Sequence, residues 1–324
     1  MRFWSHNYSN WLMYFVVLSF SLLINPCLGQ TNEIISIGVG TANYLGELSP
    51  YNTPIKAIIS PAIRWNVAAS FQQPITKQIS LRTGFTYARL FGDDNLYETV
   101  KATNYLRNLH FRNDIKELSI DITYSFYKKK QFYRHTHRKV EYYLHAGIGV
   151  FSHNPMARDI RLSQQIKGDW VKLRELKTEG QVKEYSSLAF SFPIGLEMQY
   201  RINKLFGIGF EVKYNLSSTD YIDDVSTTFP TISNTIFTNR SAEFIAAISG
   251  KDRLTWVQNY LNNNGYTNID AIDIASTFPS GIPPFDTAIA TRQRGNPKVK
   301  DGYILTKFSL LYYLPEKIKC PKIK

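Results

Sequence analysis

The chain has 324 residues, a net charge of +12 at pH 7 and 14% aromatic residues, with 21 tyrosines against 4 methionines. After the first thirty residues no stretch is long and apolar enough for a transmembrane helix, which excludes a helical membrane protein. Of the two cysteines, Cys27 lies in a leader-like segment, so a chain that loses this segment keeps only Cys320 and cannot form an internal disulfide.

Residues 1–29 have the pattern of a secretory signal peptide. Arg2 precedes an apolar run that is too short to span a bilayer, and small residues follow before the predicted cut. Lipid attachment at Cys27 is the less favoured alternative, because Pro26 stands where a lipobox has a small residue. We predict that residues 30–324 form one domain, which is exported.

Eight segments alternate apolar and polar residues with a period of two, which predicts β-strands. The predicted strands are 34–44, 56–67, 79–90, 114–127, 140–151, 189–200, 205–214 and 302–314. In the sixth, Phe192 and Ile194 alternate with Gly195 and Glu197, so that one face is apolar and the other carries glycine and charge. Residues 68–78 are predicted to form a turn. The segment 92–113 is predicted to be irregular.

The connections after the second, fourth and sixth strands are short, whereas the others are long. This asymmetry is typical of outer-membrane barrels with short periplasmic turns and long extracellular loops. A soluble barrel would bury its apolar face, but here the interior would consist of glycine and charged residues. We therefore predict an all-β fold, an eight-stranded antiparallel transmembrane barrel in the cell outer membrane. Residues 216–300 would form a long extracellular loop, made partly helical by the periodicity of Ser241–Leu261.

The polar face of the strands places a set of ionisable residues inside the predicted barrel. They are Arg64, Arg82, Lys213, Lys307, Glu117, Asp121, Glu141, Glu197, Glu211 and His145. An eight-stranded barrel is only wide enough for its own side chains, so these groups should form a packed ion network. We expect Arg64 and Arg82 to face the carboxylates. Catalysis or proton conduction by the same carboxylates is the less favoured alternative.

Two other clusters could bind a metal ion. His135 and His137 are two residues apart, but the basic residues around them would repel a cation. Asp220, Asp223 and Asp224 could gather calcium at the outer rim. Their spacing is not that of a calcium loop, so a solvated loop start is the preferred interpretation. We predict no metal, no cofactor and no catalytic residue.

Basic residues concentrate in the segments predicted at the periplasmic end. They are Lys77, Lys128, Lys129, Lys130, Arg134, Arg138, Lys139, Arg201, Lys204, Lys317, Lys319, Lys322 and Lys324. With Glu316 as the single acid of these segments, the thirteen bases account for the whole net charge of +12. We predict a partner-binding surface at 128–139, where Phe132 and Tyr133 could anchor in a pocket, and a basic periplasmic tail at 315–324. The predicted partners are a periplasmic protein and outer-membrane lipid. A nucleic acid is disfavoured, because this surface would face the periplasm.

Motifs in both strands and loops resemble those of a known family. They are ISIGVGTANYLGEL, GFTYARLFGDDN with NLHFRNDIKELSI, YYLHAGIGVFSHNP, KTEGQ, FPIGLEMQY and GIGFEVKYNLSSTDYIDDVST. They resemble Gram-negative outer-membrane barrels that include PorG-like proteins, associated with the periplasmic ring of the type IX secretion system. The resemblance implies a non-enzymatic, anchoring role in protein transport, and it supplies no catalytic residues. An outer-membrane enzyme or ligand-binding barrel that acts through its extracellular loops is the alternative.

Overall fold

The computed structural model describes residues 33–50, 53–97, 109–127, 139–158, 170–179, 181–227, 262 and 294–315. The predicted signal peptide, the helical part of the last loop and all but the first residue of the predicted tail lie outside these ranges. No helix in the described part of the chain is both long and apolar enough to cross a membrane.

Within the described ranges, ten β-strands make up nearly all of the regular structure. They are β1 Ile34–Leu45, β2 Arg64–Pro74, β3 Ile79–Asp93, β4 His110–Ser125, β5 Val140–Ser152, β6 Met156–Arg158, β7 Trp170–Lys172, β8 Leu188–Arg201, β9 Phe206–Ser217 and β10 Gly302–Tyr313. A short helix, α1, covers Pro54–Ile58, and 3₁₀ turns cover Asp94–Tyr97 and Arg174–Leu176.

Eight of these strands close into an antiparallel barrel. Their order around the wall is β3, β2, β1, β10, β9, β8, β5 and β4, and the β3–β4 pairing closes the ring. The first and last strands are neighbours, with Ile34 opposite Tyr313. The short strands β6 and β7 extend β4 beyond the ring through the pairing of Arg112 with Met156. The predicted eight-stranded antiparallel barrel is confirmed.

Short and long connections alternate around the barrel, as predicted. The short ones are 75–78, 126–139 and 202–205, and the long ones are 46–63, 94–109, 153–187 and 218–301. All three short connections lie at one end of the barrel, which we call the short-turn end. The four long ones lie at the other end, which we call the outer mouth.

The second strand differs from its prediction at both ends. Residues 54–58 form α1, and the backbone N–H of Ile59 donates to Lys56, so the chain coils before β2 begins at Arg64. Pro61 has no N–H to offer to a ladder. At the other end, residues 68–74 continue β2 where a turn was predicted. Small side chains allow this, since the Ser70 hydroxyl lies 2.7 Å from that of Ser36 on β1.

The segment predicted to be irregular, 92–113, is partly strand. β3 extends to Asp93, which pairs with His110 at the start of β4. The strands β6 and β7 lie in a connection that carries no alternation of its own. The extended ends of β3 and β4 lie at the outer mouth, and the short strands β6 and β7 pair beside them.

The outer wall is apolar and the interior is polar. Val39, Leu196 and Phe308 are 60%, 58% and 67% exposed, whereas Ser36 and Ser309 on the opposite faces of β1 and β10 are buried. This is the reverse of a soluble barrel and is the pattern of barrels whose wall faces lipid. The buried apolar residues gather near the outer mouth instead, around Tyr44, Leu90, Phe111, Phe151 and Tyr303.

Candidate functional site

Arg82, on β3, points into the barrel and is 4% exposed. Its guanidinium donates to Asp121 on β4 at 3.0 Å and 3.2 Å. The same group lies 3.1 Å from Glu197 on β8 and 2.9 Å from Glu211 on β9. One planar cation therefore joins carboxylates from three other strands across the interior.

Two lysines also form ion pairs inside the barrel. Lys307 on β10 pairs with Glu211 at 3.1 Å, and Lys213 on β9 pairs with Glu117 on β4 at 3.5 Å. His145 Nδ1 lies 2.9 Å from the Arg82 guanidinium, which can only donate, so this ring nitrogen accepts and the imidazole is neutral. Five of the predicted interior charges thus share one ion network, namely Arg82, Lys307, Asp121, Glu197 and Glu211, while Lys213 and Glu117 form a separate buried pair.

Arg64 and Glu141 do not join this network. The Arg64 guanidinium lies 4.0 Å from the centre of the Phe91 ring, so the expectation that it faces the interior carboxylates is wrong. Gln72, the β2 partner of Arg82, lies eight positions along the strand from Arg64, a distance of about 26 Å at 3.3 Å per residue. Arg64 therefore belongs to the outer mouth. Glu141, close to the short-turn end, accepts a hydrogen bond from the Tyr143 hydroxyl.

The short-turn end carries exposed cations. Lys77, Lys139 and Lys204 are exposed there, and the Arg201 guanidinium lies 3.6 Å from the centre of the Tyr313 ring. The chain leaves β4 and enters β5 at this end, and β10 also stops here. The other residues of the predicted partner surface lie outside the described ranges, as do His135 and His137. These surface residues are Lys128, Lys129, Lys130, Phe132, Tyr133, Arg134 and Arg138.

At the outer mouth, Arg294 ties loops together. Its guanidinium pairs with Asp224 at 3.0 Å and with Glu179 at 3.3 Å, and all three side chains are almost fully buried. Glu179 also accepts hydrogen bonds from the backbone N–H groups of Ser226 and Thr227, at 2.8 Å and 3.0 Å. Burial raises the pKa of Asp224, and Arg294 opposes this rise. The cluster fixes the loop after β7 to both ends of the longest connection.

Further carboxylates gather where β1, β9 and β10 reach the mouth. One carboxylate oxygen from each of Glu47, Asp220 and Asp301 lies within 4.8 Å of those of the other two. The Tyr44 hydroxyl lies 2.5 Å from Asp301 and 2.7 Å from Asp223. The mouth therefore holds four carboxylates that converge on one small volume.

Burial and mutual repulsion disfavour the charged forms of these carboxylates. Burial raises the pKa of Asp220 to about 6. Burial and then the Glu47 carboxylate raise the pKa of Asp301 well above its usual range. Burial and then Asp301 do the same for the pKa of Asp223. A bound proton or a bound cation would therefore relieve the repulsion within the cluster.

The preferred interpretation of Asp220, Asp223 and Asp224 as a solvated loop start is wrong. They are 2%, 1% and 0% exposed. Their surroundings come from segments far away in the chain, and no local spacing could have revealed them. The residues that the sequence patterns missed are Tyr44, Glu47, Glu179, Arg294 and Asp301.

Three solved outer-membrane proteins illustrate the structural comparisons. The attachment invasion locus protein Ail of Yersinia pestis, in complex with the heparin analogue sucrose octasulfate, is 9% identical with a TM-score of 0.34, covering 88% of this chain and 99% of Ail. OprG of Pseudomonas aeruginosa is 9% identical with a TM-score of 0.34, covering 88% and 95%. Neisserial surface protein A is 10% identical with a TM-score of 0.33, covering 58% and 85%.

Sequence comparison identifies a family. The comparison with curated protein sequences yields no significant match. A family model matches residues 11–256, well over half of the chain. The match contains the barrel strands from β1 to β9 together with the outer-mouth carboxylates Glu47 and Asp220. The chain belongs to the family described as a domain of unknown function, DUF6089.

Proposed function

We propose that this chain is a non-enzymatic outer-membrane barrel that anchors a periplasmic protein assembly through its basic short-turn end. The resemblance to PorG-like proteins suggests a type IX secretion assembly. The observation that carries the proposal is the position of the basic excess, since the segments that account for the net positive charge connect or follow strands at the short-turn end. In outer-membrane barrels the short turns face the periplasm.

The filled interior supports an anchoring role over transport through the barrel. Arg82 reaches four other strands through its contacts with Asp121, His145, Glu197 and Glu211. A barrel of eight strands has a narrow lumen, and these side chains occupy it. A non-enzymatic role fits because the carboxylates of Asp121, Glu197 and Glu211 are held in ion pairs with Arg82.

The segment 128–139 is longer and carries more cations than the reversal of the chain requires. The 75–78 and 202–205 connections reverse the chain in four residues each, whereas this one carries six cations and two aromatic residues. Aromatic and arginine side chains are the residues that dominate protein interfaces energetically. An acidic periplasmic protein is therefore the partner that this segment would bind.

The test replaces Arg134, Arg138 and Lys139 with serine and isolates the barrel from native outer membranes after crosslinking. We expect the variant to reach the outer membrane folded, but to lose a periplasmic protein that co-purifies with the natural chain. The matched control removes three cations from the opposite end, by serine substitution of Lys172, Lys183 and Lys298, which are exposed. This control should keep the partner.

Retention of every partner by the first variant, together with normal secretion, would overturn the proposal. The basic end would then contact only anionic lipid. Equal loss of the partner in both triple variants would also contradict the proposal, since it would indicate a general effect of charge.

A further inference from the structure

We propose that Glu47, Asp220 and Asp301 form a binding site for a divalent cation of the calcium class at the outer mouth of the barrel. This inference is independent of the anchoring function, because the site lies at the end opposite the basic surface.

The strand register brings the three side chains together. Gly302, the first residue of β10, pairs with Leu45 at the end of β1 and with Leu216 near the end of β9. Asp301 precedes Gly302, while the other two carboxylates lie in the chain just beyond β1 and β9. Three segments that are remote in sequence therefore place one carboxylate each at the same point of the rim.

Asp220 points into this cluster without a partner of its own. It is 2% exposed, and neither of its carboxylate oxygens has a hydrogen-bond partner among the described residues. The Ser226 hydroxyl lies close enough to moderate the pKa of Asp220 but falls outside hydrogen-bonding geometry. A buried carboxylate with no partner is costly, and a coordinated cation removes that cost. This orphaned side chain distinguishes the site from an ordinary acidic cluster.

The cluster also has too few donor protons for its close oxygen contacts. The Tyr44 hydroxyl lies within hydrogen-bonding distance of both Asp223 and Asp301, but it has a single proton to donate. No arginine or lysine of the described ranges forms an ion pair with Asp220, Asp223 or Asp301. Lys300 attracts Asp220 only from a longer range, so within the described residues the three buried aspartates have no cation in direct contact.

The geometry and the ligand type favour calcium over other metals. All donors are carboxylate oxygens, which excludes the nitrogen and sulfur ligands that zinc prefers. Oxygen atoms within 4.8 Å of one another can surround a cation with metal–oxygen distances of about 2.3–2.6 Å, the range of calcium. Magnesium demands shorter distances and a regular octahedron, and it keeps most of its water ligands.

A cation here would fasten both ends of the longest connection to the barrel. Asp220 is the third residue of the 218–301 connection and Asp301 is its last. Glu47 belongs to the first outer loop, and its Oε1 accepts a hydrogen bond from the backbone N–H of Asn296 at 3.0 Å. Cation binding would therefore order the outer mouth in response to extracellular calcium.

The test uses the full barrel, refolded in detergent free of lipopolysaccharide and stripped of metal. Calcium, magnesium and sodium chloride at equal ionic strength are compared by the thermal midpoint of unfolding and by titration calorimetry. We expect calcium to raise the midpoint of the natural chain in a saturable way. Asp220→Asn should weaken calcium binding at least about tenfold, and in the metal-free state it should melt higher than the natural chain, because an unpaired buried charge has been removed.

The matched control is Glu175→Gln, which neutralises an exposed carboxylate of an outer loop. Its calcium response should equal that of the natural chain. An absent calcium shift in the natural chain, or an equal calcium affinity in Asp220→Asn, would overturn the proposal and show that protons alone stabilise the cluster. Should Asp220→Asn fail to fold, Glu47→Gln provides the same comparison at the half-buried ligand.

Discussion

Arg82→Met tests the ion network that fills the barrel. The substitution removes contacts of 2.9–3.2 Å to Asp121, Glu197 and Glu211, all of them buried. Methionine replaces most of the aliphatic volume, so the loss is chiefly electrostatic. Removing one partner of a buried ion pair costs about 3–5 kcal/mol, because the other partner is left uncompensated. We expect the free energy of unfolding to fall by that amount.

The charge count predicts that removing a base from the network costs more stability than removing an acid. The network around Arg82 holds two bases and three acids: Arg82 and Lys307 with Asp121, Glu197 and Glu211. Arg82→Met leaves one base against three acids, whereas Glu197→Gln leaves two against two. Glu197→Gln should therefore cost less, about 1–2 kcal/mol for a weakened hydrogen bond. The double variant should be less destabilised than the sum of the single variants.

The assay is urea-induced unfolding of the refolded barrel in lipid vesicles, followed by tryptophan fluorescence. The control is Arg174→Met, which breaks a partly exposed pair with Glu184 at 2.9 Å and should cost less than about 1 kcal/mol. Equal losses for Arg82→Met and Arg174→Met, or a strictly additive double variant, would refute the reasoning. Such a result would mean that the interior charges are solvated by water, and a high single-channel conductance in planar bilayers would accompany it.

Three further perturbations probe the wall, the strand packing and the mouth. Leu196→Arg, in the middle of β8, should destabilise the barrel in vesicles by about 2–4 kcal/mol, whereas Val182→Arg in an outer loop should be nearly neutral. Gly40→Ala should cost about 1–3 kcal/mol in urea unfolding, because its β-carbon would overlap a backbone carbonyl of β10, and Gly84→Ala, which meets only ordinary contacts, should be tolerated. Burial lowers the pKa of His153 from 6.5 to about 4, so the unfolded chain binds more protons between these values. Stability should therefore fall by about 3 kcal/mol as the pH drops through this window, and His153→Gln should remove that part of the pH dependence.

The sequence by itself determined the barrel and the direction of its side chains. Alternation in residues such as Phe192, Ile194, Gly195 and Glu197 is a local property, because successive side chains of a strand point to opposite faces wherever the strand lies. The same parity identified Arg82 as an interior cation. Errors arose where alternation was accidental, as before Pro61, where backbone turns and the short helix α1 take the place of a strand.

Only the tertiary structure decided which charges meet. Arg64 and Arg82 are both predicted to point into the barrel, but the strand register separates them along the wall. Arg64 therefore contacts Phe91, whereas Arg82 contacts the interior carboxylates. At the mouth, Asp220 and Asp301 are brought together by the pairing of β9 with β10, across a connection of more than eighty residues. Side-chain direction follows from the chain's own period of two, whereas contact between distant residues depends on how the strands pair and close, which no local pattern encodes.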